Sequence, residues 1–243
     1  MQEGGFRFFF EFEGKRGLLS EEETHHLVNV LRKKQGEIIK LINGKGCEFS
    51  AEIIRVIKRL KKAEVEIKAL IRKEPPPSKE IISILPILKG GKTEFLVEKG
   101  TELGITCFVP FKSEFTVVKV KENLISRFEA KVLSALKQSG RLWKPVVNPP
   151  VELRQFLQKL KGEKALKLYA EKDGEPVKNL YHQLKETGEK YDKIYLLSGP
   201  EGGFSKNEKL LIEKAGFLKI NFSPYVLRAE TAVFALFSLA MFL

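Results

Sequence analysis

Before residue 74, apolar positions recur every second residue or in β-branched runs, at 7–12, 37–43, 48–57 and 63–71. This pattern predicts four short strands. Turn-forming residues separate them, and Asn43-Gly44-Lys45-Gly46 marks a hairpin between the second and third. One helix is expected to interrupt the strands, because Ser20 followed by Glu21, Glu22 and Glu23 has the capping-box pattern. Beyond that cap, His26, Val30 and Lys33 fall on one side and Leu27 and Leu31 stripe another. A small β-barrel with one inserted helix fits residues 1–73.

At Glu74-Pro75-Pro76-Pro77-Ser78 the pattern stops. Three prolines remove backbone donors and fix φ, which forbids helix and favours an extended spacer over 74–80. Afterwards the period alternates. Apolar runs at 81–88, 106–111, 165–170, 193–197 and 218–222 predict strands, and stretches at 93–103, 122–138, 176–185 and 206–215 predict helices. A last helix from Ala229 is apolar on nearly every side, which implies burial all round. Strands alternating with helices over 81–243 make an α/β domain with a parallel sheet, unknotted as far as periodicity can say.

Composition then removes several classes of function. The longest apolar run, 232–243, is roughly a dozen residues against the ~20 a bilayer-spanning helix needs, so no membrane span is expected. The stretch 1–13 mixes phenylalanines with charges and lacks the apolar core and cleavage site of a signal peptide, so a cytoplasmic protein is expected. Cys47 and Cys107 lie far apart without a CxxC pair, and only His25, His26 and His182 accompany them. That argues against a disulfide scaffold and a zinc site. Only Asp173 and Asp192 are aspartates, so no metal is expected. The net charge of +12 has an ordinary contributor, since lysine and glutamate enrichment with few Cys and Met is a habit of heat-adapted proteins. Ion-pair networks need both signs, so the excess points to a polyanion, RNA or DNA.

Two expected strand ends carry unusual residues. Leu197-Ser198-Gly199-Pro200-Glu201-Gly202-Gly203-Phe204 is a glycine-rich bend whose backbone can approach a ligand closely, and Ser205 with Glu208 forms a capping box for the next helix. It is not a phosphate-binding P-loop, because the Gly-Lys-Ser/Thr ending is absent. Glu201 at its apex suits a positively charged or hydroxyl-rich ligand. The second bend, Phe222-Ser223-Pro224-Tyr225-Val226-Leu227-Arg228, leads into the terminal helix. An arginine heading a helix opposes the helix dipole, so either Glu230 neutralises Arg228 structurally or Arg228 serves a bound anion.

Together, Gly199-Pro200-Glu201-Gly202-Gly203-Phe204-Ser205 and Leu227-Arg228-Ala229-Glu230-Thr231-Ala232 resemble the RsmE family, SPOUT-class methyltransferases that methylate N3 of a uridine in 16S ribosomal RNA. Arg7-Phe8-Phe9, His25-His26-Leu27 with Val30-Leu31-Arg32, and Asn43-Gly44-Lys45-Gly46 are similar to the family's RNA-binding N-terminal domain. Residues 98–105 and Gln138-Ser139-Gly140-Arg141 resemble its central motifs. The resemblance implies a PUA-like β-barrel before the prolines and, after them, an α/β SPOUT domain whose parallel sheet carries a trefoil knot. It also implies S-adenosylmethionine as cofactor, the small ribosomal subunit as partner in ribosome biogenesis, and a homodimer. The chain departs from the family at Phe222-Ser223, where Leu-Gly is usual, and at Phe115, where an arginine is usual.

On this basis the methyl donor is expected to be wrapped by Leu168, Tyr169 and Ala170 on one strand, by Leu197, Ser198, Gly199, Pro200 and Gly203 of the first bend, and by Phe222, Ser223, Tyr225, Val226 and Leu227 of the second. Arg228 is the candidate for stabilising negative charge on the uracil oxygen. Glu201 either accepts the imide proton or holds the donor's ammonium. Arg7, Arg32, Lys33, Lys34 and Arg141 are the candidates for RNA contact, although cations at 32–34 also suit a helix end. A protein that keeps this fold as a non-catalytic RNA-binding assembly factor is the competing reading, kept open by Ser223 and Phe115.

Overall fold

The structure, a computed structural model, describes residues 6–118, 120–187 and 190–243, so the first five residues of the expected barrel lie outside the described ones. The chain divides into two compact units. One extends to Pro76 and includes Leu133–Lys144; the other comprises Pro77–Val132 and Pro145–Leu243.

The first unit contains β1 (Arg7–Phe9), β2 (Arg16–Leu18), α1 (Glu21–His25), β3 (Ile38–Ile42), β4 (Cys47–Ile57) and β5 (Lys62–Lys73). They form a five-stranded sheet in the order β1-β3-β4-β5-β2, antiparallel except for β1 beside β3. Phe8, Leu41, Ile53 and Val65 enter one core with Leu19 and Leu27, so edge and central strands curve round shared apolar contents. The β3–β4 turn is held by Asn43, whose Oδ1 accepts from the N–H groups of Lys45 at 2.8 Å and Cys47 at 3.1 Å. Ser20 caps α1, its Oγ accepting from the Glu23 N–H at 3.2 Å, but only this half of the expected capping box forms, because the Glu23 carboxylate pairs with Lys137 instead. The helix is shorter than the pattern suggested. A π-helical turn follows over His26–Val30, and Arg32 takes a left-handed conformation (φ 54°), ending the helix before Lys33. Strand pairing also stops sooner than the alternation at 7–12 implied. The unexpected β2 pairs with β5 at Gly17, where a Cβ would lie 2.1 Å from the Phe12 ring.

The second unit contains β6 (Glu80–Pro86), α2 (Lys92–Glu102), β7 (Cys107–Lys112) and α3 (Leu124–Ser139), whose end belongs to the first unit. After α3 come β8 (Val146–Val147), β9 (Val151–Glu152), α4 (Leu153–Lys159), β10 (Leu166–Pro176), α5 (Val177–Thr187), β11 (Lys193–Ser198), α6 (Lys206–Lys214), β12 (Leu218–Asn221) and α7 (Ala229–Ala240). All seven strands are parallel, in the order β12-β10-β11-β6-β7-β8 with β9 alongside β7. Helices cover a core built on Ile82, Ile84, Tyr169 and Leu197. Lys167 is buried in this unit, and its ammonium donates to the carbonyls of Leu160 at 2.6 Å and Ala215 at 3.0 Å, where α4 and α6 end. Burial lowers its pKa, and these acceptors suit a cation at helix C-termini.

One irregularity matters for function. β10 pairs with Ile220 of β12 twice, first from Ala170 and again from Glu175, so the intervening residues bulge out. Gly174 permits this, since a Cβ there would sit 2.6 Å from the Ile220 backbone. Among the described residues no helix is long and apolar enough to cross a membrane.

Candidate active site

Residues 170–172, where β10 starts to bulge, and the C-terminal ends of β11 and β12 face one cleft, the region where open parallel sheets hold ligands. After β11 the chain turns sharply: the Gly203 N–H donates to the Pro200 carbonyl at 2.9 Å, and Gly203 adopts φ 70°. Phe204 then drops into the core and stacks on Phe111, with ring centroids 6.2 Å apart. Ser205 and Glu208 form the expected capping box, with the Glu208 N–H donating to Ser205 Oγ at 3.2 Å and the Ser205 N–H to Glu208 Oε2 at 3.0 Å. The second carboxylate oxygen of Glu208 accepts from the Glu114 N–H at 2.9 Å, which ties the segment after β7 to the glycine-rich bend.

In the second bend the Ser223 N–H donates to Asn221 Oδ1 at 2.9 Å, and Ser223 Oγ accepts from the Tyr225 N–H at 3.1 Å. Ser223 is not among the residues with positive φ, so serine in place of the usual glycine brings no backbone strain and adds a turn-forming hydroxyl. Phe115, the other departure, packs over the first bend, where a Cβ on Gly202 would lie 2.9 Å from the Phe115 Cβ.

Between the bends lies a cavity of about 430 Å³. Ala170, Ser198, Gly199, Pro200, Gly203, Phe222, Tyr225, Val226 and Leu227 line it, as do Glu201 and Arg228. Leu168, Tyr169 and Leu197 do not reach its wall and are fully buried: Tyr169 and Leu197 point to the strand face opposite their neighbours Ala170 and Ser198, and Leu168 lies one pleat back along the strand from Ala170. Ser223 also lies off the wall and organises the turn instead. Sequence reasoning missed Lys92, Glu171, Lys172, Phe204, Ile220, Asn221, Ala229 and Ala232, and assigned Glu230 no place on the wall. Gly90-Gly91, directly after a buried strand, was the available signal for Lys92. Both glycines have positive φ, 68° and 76°.

The charges are placed with both signs in reach. Glu201 is exposed at the rim, where its Oε1 accepts from the Lys89 N–H at 3.3 Å. Glu230 is not the ion-pair partner of Arg228: its Oε1 pairs with Lys92 Nζ at 3.0 Å. Burial would push the Glu230 carboxyl up, but its own backbone N–H, Lys92 and Arg228 together hold it below the usual carboxylate range. Its other oxygen, Oε2, is buried and accepts no hydrogen bond among the described residues. The cavity fits a zwitterionic nucleoside. It offers apolar walls at Ile220, Phe222 and Val226, peptide groups at 198–203, and an open approach at Gly203, where a Cβ would meet nothing within 4 Å.

The candidate RNA contacts all lie in the first unit. Arg32 and Lys34 are exposed, whereas Lys33 pairs with Glu37 at 3.0 Å. Arg7 is engaged inside the unit, its Nε donating to Glu48 at 2.7 Å and Nη1 to the Lys137 carbonyl at 3.4 Å. Arg141 is half-buried, and burial lowers its pKa to about 10 against the opposing pull of Glu74.

A parallel sheet with a ligand cleft at two strand-to-helix bends, together with a small curved sheet, fits the SPOUT class of RNA methyltransferases that the sequence motifs resemble. Consistent with this, the RNA methyltransferase domain family matches residues 74–241, and the RNA methyltransferase PUA domain matches residues 19–66. The chain belongs to the ribosomal RNA small subunit methyltransferase E family. It is 30% identical to the Aquifex aeolicus member over 240 residues, which cover 96% of this chain and 98% of that one. It is 29% identical to the Bacillus subtilis member over 219 residues, 88% and 85% of the two chains. Among solved structures, a Legionella pneumophila methyltransferase in complex with the bound cofactor SAM superposes with a TM-score of 0.84 at 30% identity, covering 97% of this chain and 96% of that one. The Neisseria gonorrhoeae ribosomal RNA small subunit methyltransferase E bound to S-adenosyl methionine gives 0.81 at 27%, covering 98% and 97%.

Proposed function

We propose that this chain, an S-adenosylmethionine-dependent methyltransferase of small-subunit ribosomal RNA, places its methyl group on N3 of a uridine in 16S RNA. The cavity enclosed by the two bends is the observation that carries this reading. Peptide groups of 198–203 and 222–227, with Ala170, would hold the donor, which supplies an electrophilic methyl group when bound. The chain's own contribution is alignment of the reactants and charge control. Arg228, exposed at the head of α7, is free of the Glu230 ion pair and stabilises negative charge as it develops on a uracil oxygen. Of the two roles open to Glu201, its rim position supports holding the donor's ammonium over accepting a proton.

The PUA-like unit grips RNA through exposed Arg32 and Lys34, with half-buried Arg141 shaping that surface. The chain works as a cytoplasmic homodimer, and its second unit carries the family's trefoil knot. Support for the dimer comes from apolar side chains left exposed near α2 and α7: Phe95, Phe234, Met241 and Phe242. The test is to incubate the protein with small-subunit RNA and isotope-labelled donor, digest the RNA and map the label by mass. One N3-methyluridine is expected. Absence of transfer would leave the assembly-factor reading, and a methyl group on any other atom would refute the N3 assignment.

A further inference from the structure

We propose that Lys92, Glu230 and Arg228 read the imide edge of the target base and that Glu230 Oε2 takes the proton from its N3, an inference that rests on the uridine reading above.

The starting observation is a carboxylate with unequal oxygens. Glu230 lines the cavity; its Oε1 is fixed by Lys92 at 3.0 Å, while its Oε2 is shielded from solvent and has no hydrogen-bond partner among the described residues. Burying a carboxylate oxygen without a donor is unfavourable, so the position calls for an N–H or O–H from something bound. Sheet order indicates which ligand. β11 lies between β10 and β6. The bends expected to hold the methyl donor follow β11 and β12, beside the end of β10, whereas Lys92 follows β6 on the other side of β11. The Lys92–Glu230 pair therefore marks the side of the cavity away from β10 and β12, where the second reactant must enter.

The three side chains match that reactant. An ammonium, a carboxylate oxygen and a guanidinium form a donor–acceptor–donor set. The uracil imide edge presents the complementary acceptor, N–H donor and acceptor. Cytosine presents a bare N3 lone pair to the carboxylate and an amino group to a cation, so both contacts become repulsive. In the reaction, the N3–H bond breaks and its proton passes to Glu230 Oε2. The electron pair left on nitrogen forms the new N–CH3 bond, and the pair of the broken S–CH3 bond remains on the thioether sulfur. The protonated carboxyl then returns its proton to water. Lys92 keeps the carboxylate ionised until it accepts the proton, and oriented throughout.

The test uses the full-length protein and an RNA fragment containing the mapped uridine. Anisotropy titrations in the presence of S-adenosylhomocysteine compare this fragment with versions carrying cytidine or N3-methyluridine at that position. The native protein should bind the uridine fragment about tenfold more tightly than either alternative, and Glu230→Ala should abolish the preference. Glu230→Gln keeps a carbonyl acceptor but cannot take a proton. It should bind the uridine fragment within about threefold of native while kcat falls about 100-fold or more. Unchanged donor affinity by calorimetry and an unchanged far-UV spectrum would show that the Gln variant is folded. Equal native binding to all three fragments, or a Gln variant with kcat within threefold of native, overturns the inference and leaves the methyltransferase reading standing. A native protein that transfers no methyl group removes that reading itself, and this inference with it.

Discussion

Glu208 provides a sharp test of how the glycine-rich bend is held. Its side chain is 1% exposed, and its two oxygens accept from the N–H groups of Glu114 at 2.9 Å and Ser205 at 3.0 Å. In Glu208→Ala both donors lose a charged acceptor inside the fold, while the Ser205 cap on the Glu208 N–H survives because it uses only backbone at position 208. With about 1.5–3 kcal/mol for each hydrogen bond to a charged group, the loss comes to about 3–6 kcal/mol. Against a total of about 5–15 kcal/mol for a typical domain, that is a large fraction. Glu208→Gln keeps one carbonyl oxygen but turns an amide N–H toward the second donor, so it should lose about half as much. Urea unfolding followed by far-UV circular dichroism should rank native, Gln and Ala in order of falling midpoint, with donor affinity by calorimetry falling in the same order. An Ala variant within about 1 kcal/mol of native would refute the account of how this loop is anchored.

Arg228→Ala should lower turnover by about 100-fold with little change in donor affinity, as loss of an electrostatic stabiliser does; equal losses in steady-state and calorimetric measurements would remove that role. Replacing Arg32 or Lys34 with Gln should each reduce the slope of log affinity for RNA against log salt by about one, and unchanged slopes would place phosphate contact elsewhere. The Glu98 carboxyl is held below its ordinary range mainly by Lys131 at 2.8 Å, against the effect of burial and with help from Lys99. A depressed carboxylate contributes stability above its unfolded pKa and loses it as pH falls through the folded value. Thermal unfolding of Glu98→Gln should therefore decline less steeply with acid than native, and parallel curves would contradict that assignment.

Alternation of apolar runs made the parallel order of the second unit legible, because strands buried on both faces read as continuous Val, Ile and Leu segments. The strands at 146–147 and 151–152 were not legible, since two residues carry no periodicity. Helix α4 left a signal in Leu153, Leu157 and Leu160, placed just after a proline pair. In the first unit, β2 was hidden by Gly17, which has no side chain to mark a face, and the short N-terminal helix by a π turn that apolar spacing does not reveal. The site was legible where glycines and Pro200 marked sharp bends. The sequence could not distinguish Tyr169, beneath the wall, from Ala170 on it, because that depends on which strand face the cleft opens toward. Nor could it pair Glu230 with Lys92, which lie 138 positions apart and meet only through the sheet.

The central claim is that the two bends after β11 and β12 enclose the methyl donor. A crystal grown with S-adenosylmethionine should show the nucleoside between residues 198–203 and 222–228, with its sulfonium facing the Lys92–Glu230 side. Donor density elsewhere, or a cleft closed by Tyr225 and Phe222, would contradict it.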